Sequence, residues 1–295
     1  MSYMYETIAD IKQICERENL PFWEVVLRAE IESGEMTREE VLAEASRRVE
    51  IFRQAIKNGL ADVRKTMSGM SGGQAHDLLA RKPKVLSTTA YKAMTYAVAV
   101  NEANAKMFRI VACPTAGACG VMPGCVVAVG EENDMDEEAY LRAFFTAAGI
   151  GNVITNNACV AGAVGGCQAE VGTAATMAAG GIVAMFNGTV DEIINAMSLC
   201  LKNVLGLVCD PVAGLVEVPC VKRNGVYAVH ALTAAEMAMA GLTTQIPADE
   251  VILAMNRIGR ALPSALRETS EGGLAVTETG LAIAARVHNK DRKSV

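Results

Sequence analysis

The stretch IGNVITNNACVAGAVGGCQAEVGTAATMAAGGIVAMFNG, residues 150–188, carries a single charged side chain, Glu170. Most of its residues are Ala, Gly, Val, Thr, Ile and Met, without the period-2 alternation of a half-buried strand. A segment apolar on all sides and built of small side chains reads as helix enclosed by other helices. The rest of the chain agrees. Residues 126–129 and 215–218 come nearest to a strand, and neither alternates convincingly. The expectation is therefore an all-α fold: one compact helical domain with buried, small-residue-rich central helices and Gly/Pro-rich loops that carry the active site.

Working outward, Thr189 with Glu192 forms a capping box that opens a helix through Ile193, Met197 and Leu201. Asp210-Pro211 ends that region, and helices are predicted over 227–240 and 248–261. On the N-terminal side, periodicity predicts a helix over 87–106. A Pro/Gly-punctuated loop follows over 113–123, and Asp134 with Glu137 is expected to cap the next helix. Residues 1–60 read as a helical hairpin belonging to the same domain, with Pro21 in a first turn and Thr37/Glu40 as a second capping box. Residues 61–287 form the catalytic region, and 288–295 a polar, frayed tail.

Composition narrows the function. In 295 residues, 51% are hydrophobic, 20% charged and only 4% aromatic, so the core is built from Ala, Val, Ile, Leu and Met. A net charge of −6 argues against nucleic acid as a partner, because phosphate binding needs a basic surface. Residues 110–130 and 171–186 lack charge. Prolines and glycines interrupt the first, and the second is short for a span, so neither predicts a membrane segment. The N-terminal Glu6, Asp10, Lys12, Glu16 and Arg17 do not resemble a signal peptide, which points to the cytoplasm. Nine cysteines in that reducing setting favour metal binding or buried thiols over disulfides.

Two cysteine sets compete as metal ligands. Cys113, Cys119 and Cys125 are evenly spaced, with five residues between neighbours, whereas 41 and then ten residues separate Cys167, Cys209 and Cys220. Neither set has the short arm of a zinc site, and a lone buried thiol is the commoner state of cysteine. Local context favours the second set weakly: each member lies within two residues of Gly or Pro, where backbone amides are free to point at sulfur.

Several motifs are then recognisable together: Ser68-Gly-Met-Ser-Gly-Gly73, Ala99-Val-Asn-Glu102, Pro114-Thr-Ala-Gly-Ala-Cys-Gly120, Gly166-Cys-Gln-Ala-Glu170, Cys209-Asp-Pro-Val-Ala-Gly214, Val218-Pro-Cys220, Arg267-Glu-Thr269 and Gly272-Gly-Leu-Ala275. In content and order they resemble the α chain of bacterial iron–sulfur L-serine dehydratases. The resemblance implies a [4Fe–4S] cluster on Cys167, Cys209 and Cys220 with one iron left open, L-serine as substrate, and a separate β chain, since the Ser-rich, His-containing motif of single-chain relatives does not occur here. It leaves Cys113, Cys119 and Cys125 as a decoy. An open iron serves dehydration as a Lewis acid on the β-hydroxyl.

The same resemblance places Ser71, Gly72 and Gly73, Thr115 and Gly117 around the substrate. The first three do so through amides at a helix start, where a plain turn is the alternative. Arg267 and Thr269 are candidates to pair with a carboxylate. Asn157, Gln168 and Glu170 are polar groups in an apolar setting that need partners, Asn157 being taken as substrate-binding and Glu170 as the candidate base. Alternatives are an iron–sulfur lyase for threonine, cysteine or another small acid, and a non-catalytic redox sensor. With His76, His230 and His288 as the only histidines, a histidine-based site is weak.

Overall fold

A computed structural model describes residues 2–291 and the side chains of residues 2–289. The chain is 68% helical, with thirteen α-helices and no strand among the described residues, in one compact domain, as the residue pattern predicted.

The core is built around α9 (Thr173–Met185), which follows from the opening stretch. Every one of its residues is buried, because it has no polar face to turn outward. Around it pack α6 (Val121–Glu132), α7 (Glu137–Asn157), α10 (Val190–Lys202) and α11 (Cys220–Met239). Outside these lie α3 (Arg38–Ala61) and α5 (Thr88–Ala105), with α12 (Ala248–Ala261) against α10.

Small residues let backbones touch. A Cβ on Gly59 of α3 would stand 1.9 Å from the Ala99 carbonyl oxygen of α5, and one on Gly124 of α6 would meet the Ala97 nitrogen at 2.6 Å. Short α4 (Gln74–Leu79) and α8 (Gly162–Gly165) serve the loops, and α13 (Glu278–Asp291) closes the described chain. No helix among the described residues is long and apolar enough to cross a membrane.

Both expected capping boxes form, at Thr37/Glu40 and Thr189/Glu192. Several local expectations change, α11 among them, which starts at Cys220 rather than at 227. The first 61 residues hold three helices rather than a hairpin: α1 (Ile8–Glu18) has its own capping box, Thr7/Asp10, and ends at left-handed Asn19 before α2 (Phe22–Ser33). Asp136, not Asp134, caps α7 through the Ala139 N–H, and Asp134 is itself left-handed at φ 50. The loop after Cys113 gives way to α6 at Val121, so Pro123 sits in a first turn, where its missing N–H costs nothing. The expected frayed tail is helical through Asp291, and residues 292–295 lie outside the described residues.

Candidate active site

Four segments converge at one place on the helical frame, and each arrives for a local reason. The first is Cys113–Gly120, anchored from α5 and α11. Asn101 and Asn224 each donate an amide N–H to the Gly117 carbonyl, at 3.0 and 2.9 Å, and Asn104 donates to Ala116 at 3.1 Å.

The second runs from α8 into a turn of π-helix, Gln168–Gly172, directly ahead of α9, with Cys167 at its start. π-Turns inside helices recur at functional sites because they re-aim side chains. Gly166 at φ 75 makes the entry. Gln168 locks the turn: fully buried, it donates to the Gly165 and Met255 carbonyls at 3.0 Å each and accepts the Gly206 N–H at 2.8 Å.

The third segment holds Cys209 and Cys220, and the fourth runs beside it. Cys209 and Arg267 form a short parallel bridge: the Cys209 N–H donates to Leu266 at 2.9 Å, and the Glu268 N–H to the Cys209 carbonyl at 2.7 Å. Asp210 ties the two together by accepting from the Leu274 N–H and from Arg223, both at 2.9 Å. Cys220 opens α11, one turn before Asn224.

These segments bring Cys167, Cys209 and Cys220 into one electrostatic neighbourhood. Burial pushes the Cys167 thiol up to about 11, against the pull of Arg223. Burial and then the Cys167 thiol push Cys220 up to about 12, and Cys209 is raised by burial, by Cys167 and by Glu268. The evenly spaced cysteines do not meet in this way. Cys119 feels Cys113, but Cys125 lies within α6, donates to the Ala228 carbonyl and has Cys200 as its thiol neighbour. No three His, Cys, Asp or Glu side chains among the described residues converge tightly enough for a single metal ion.

Glu170 and Glu268 face the same spot. A Cβ on Gly162 would stand 3.1 Å from Cys209 Sγ, 3.1 Å from Glu268 Oε2 and 3.3 Å from Glu170 Oε2. Thr115 donates its hydroxyl to Glu170 Oε1, and Gly117 gives the carboxyl room: a Cβ there would stand 2.8 Å from the same oxygen. Burial raises the Glu170 carboxyl above its ordinary range; the Thr115 hydrogen bond opposes this and the Glu268 charge reinforces it.

The other predicted residues distribute differently. Gly72 and Gly73 form the expected nest of amides at the start of α4, but the chain's own Glu102 fills it. The N–H groups of Gly72, Gly73 and Gln74 donate to its carboxylate at 3.1, 3.1 and 3.0 Å. The hydroxyl of Ser71 is buried beside it without a partner among the described residues. The same loop reaches the cysteine segment through Glu217, which accepts the hydroxyls of Thr66 at 2.6 Å and Ser68 at 2.8 Å.

Asn157 ends α7 and ties it to the N-terminus, donating to Glu6 at 2.7 Å and to Val153 at 2.9 Å. Exposed Thr269 donates to the Ser264 carbonyl at 3.1 Å and so shapes its own turn. Arg267 has a buried Nε with no partner. Residue pattern missed Glu268, Arg223 and Glu217. Glu268 lies inside the quoted motif Arg267-Glu-Thr269 and the other two only near quoted motifs, and what places all three is contact between distant segments.

A family model described as "Serine dehydratase alpha chain" matches residues 17–275. The chain is 46% identical over 280 residues to "Probable L-serine dehydratase, alpha chain" of Bacillus subtilis (strain 168), covering 94% of this chain and 93% of that one. It is 51% identical over 200 residues to the protein of the same description from Latilactobacillus sakei, covering 68% of this chain and 96% of that one. To "L-serine dehydratase, alpha chain" of Peptoniphilus asaccharolyticus it is 38% identical over 283 residues, covering 95% and 97%.

Proposed function

The chain belongs to the serine dehydratase alpha chain family, and on that premise we propose that it is the α chain of an L-serine dehydratase, a lyase that converts L-serine to pyruvate and ammonia. In this reading it works with a separate β chain in the cytoplasm and carries a [4Fe–4S] cluster on Cys167, Cys209 and Cys220. The observation that carries the reading is the grouping of these three thiols, from two loops and a helix start, with Cys209 beneath Gly162 beside two carboxylates.

The donor set suits such a cluster. Three thiols that raise one another lie in one neighbourhood, and soft thiolate sulfur is the donor that iron–sulfur clusters take. Arg223, next to Cys167, supplies positive charge toward thiolates that must lose their protons on binding. When bound with one iron free of protein ligands, the cluster supplies a Lewis acid for a poor hydroxide leaving group.

The chain's own residues supply the rest. Dehydration of serine removes the Cα proton and the β-hydroxyl; the enamine then tautomerises and hydrolyses to pyruvate and ammonia. Glu170 is the candidate acceptor of the Cα proton: Thr115 fixes Oε1 and leaves Oε2 turned toward the gap at Gly162. Gly117 keeps that carboxyl free to sit there. Arg267, with an unpartnered buried Nε, is assigned to the substrate carboxylate. Ser71, Gly72 and Gly73 contribute by shaping the neighbouring loop, since Glu102 already occupies their amides.

The test is anaerobic purification of the α chain with its β partner, followed by assay of iron, sulfide and pyruvate release from L-serine. Iron-free protein overturns the cluster, and a loaded complex that leaves serine intact overturns the substrate.

A further inference from the structure

Glu268 is held in an unusual way for a residue with a side chain. Its backbone lies in the left-handed region at φ 66, as does Ser270 at φ 60, inside a segment pinned to Cys209 on both sides. That conformation is unfavourable for a non-glycine residue and persists only where surrounding contacts over-determine it. Here those contacts are the paired backbone bonds to Cys209, the Ser270 hydroxyl donating to Pro211 at 2.7 Å, and Leu274 bound to Asp210. The result turns the Glu268 carboxylate toward the spot that Cys209 Sγ and Glu170 Oε2 also face.

Two carboxylates with so few donors make an incomplete arrangement. Thr115 serves one oxygen of Glu170, and among the described residues no hydrogen-bond donor reaches Glu170 Oε2 or either side-chain oxygen of Glu268. Arg223, on the neighbouring α11, is engaged by Asp210 and the Val208 carbonyl. Half-buried and without a donor from its own chain, the Glu268 carboxyl is open to a cationic donor from outside it. An α-ammonium fits: it is compact, positively charged and carries three donors.

We propose that Glu268 binds the α-ammonium of the substrate, leaving Oε2 of Glu170 free as the base, and makes the site selective for amino acids over hydroxy acids. This rests on the L-serine dehydratase reading and deepens it. It makes Glu268 a specificity-determining residue, complementary to Arg267 at the carboxylate.

Glycerate tests it directly, because it is serine with the α-ammonium replaced by a hydroxyl. In the anaerobic α–β complex, binding of L-serine and of glycerate is measured by calorimetry for wild type, Glu268→Gln and Glu268→Asp, with iron content as the check on folding. Losing one charge-assisted hydrogen bond weakens serine binding by about ten- to a hundredfold in Glu268→Gln, while glycerate binding holds or tightens. Glu268→Asp, which keeps the charge, regains part of the preference even if the glutamine variant folds poorly. Equal losses for both ligands, or no loss for serine, overturn the proposal while leaving the dehydratase reading standing. A wild-type complex that neither binds nor turns over serine removes both.

Discussion

The carboxylate of Glu102 accepts the backbone N–H of Gly72 at 3.1 Å, so an anion from the last turn of α5 sits where a glycine-rich loop opens a helix. Gly73 and Gln74 complete the cradle, and Glu102 is fully buried. Removing the carboxylate leaves three N–H groups without their acceptor in a dry setting. Glu102→Ala is expected to lower stability by about 2–4 kcal/mol, read as a shift in the urea midpoint, and to open residues 62–73 to protease. A variant with an unchanged midpoint removes the cradle from the list of contacts that hold the loop.

That pair also marks how far the residue pattern could be read. Residues 68–73 announce an anion site through three glycines and two serines within six residues, and an anion is there. Which anion depends on α5 passing alongside, a contact thirty residues away that no local pattern encodes. The same division runs through the fold. The helix at Ala248–Ala261 was legible to the residue from its periodicity, as were the boxes at Thr37 and Thr189. The box at Thr7 closes with Asp10 instead of the usual Glu or Gln, and two candidate caps, Asp134 and Asp136, compete two residues apart. In the site, Cys167 and Glu170 lie in one motif, whereas Glu268 arrives by a backbone bridge to Cys209.

Glu24 joins α2 to α3. Arg38 reaches it with two nitrogens at 2.8 Å each, and Arg28 adds a third bond at 2.7 Å. Burial raises the carboxyl, but the two arginines outweigh it and hold Glu24 below its ordinary value of 4.5. A depressed carboxylate contributes stability above its unfolded value and loses it as pH falls through the folded one. Glu24→Gln should therefore cost about 1–2 kcal/mol near neutral pH, toward the low end because both arginines are over a third exposed. The gap to wild type should close as pH drops below 4.5. Denaturant midpoints at pH 7 and pH 3 check this, and a gap that widens in acid contradicts it.

Gly117 separates a structural role from a chemical one. Its carbonyl is held by Asn101 and Asn224 whatever the side chain, but a methyl group would press on Glu170 Oε1 from 2.8 Å. Gly117→Ala should lower pyruvate formation about tenfold or more by displacing the proton acceptor, with the melting temperature within a few degrees of wild type. Full activity in this variant argues against Glu170 as the base.

The two cysteine sets give opposite expectations for one substitution. Cys113, Cys119 and Cys125 are almost wholly buried, and burial raises their thiols, so they behave as small core residues. Serine in their place puts a hydroxyl in an apolar site and costs about 1–3 kcal/mol, with iron content per folded chain unchanged. At Cys167, Cys209 or Cys220, serine keeps the volume but withdraws a thiolate ligand. Iron and the visible absorption of the anaerobic complex should fall in each single variant, and activity with them. The contrast guards against a trivial result: loss of iron in all six variants would mean that unfolding releases it, and retention in the Cys167, Cys209 and Cys220 variants would move the ligands elsewhere.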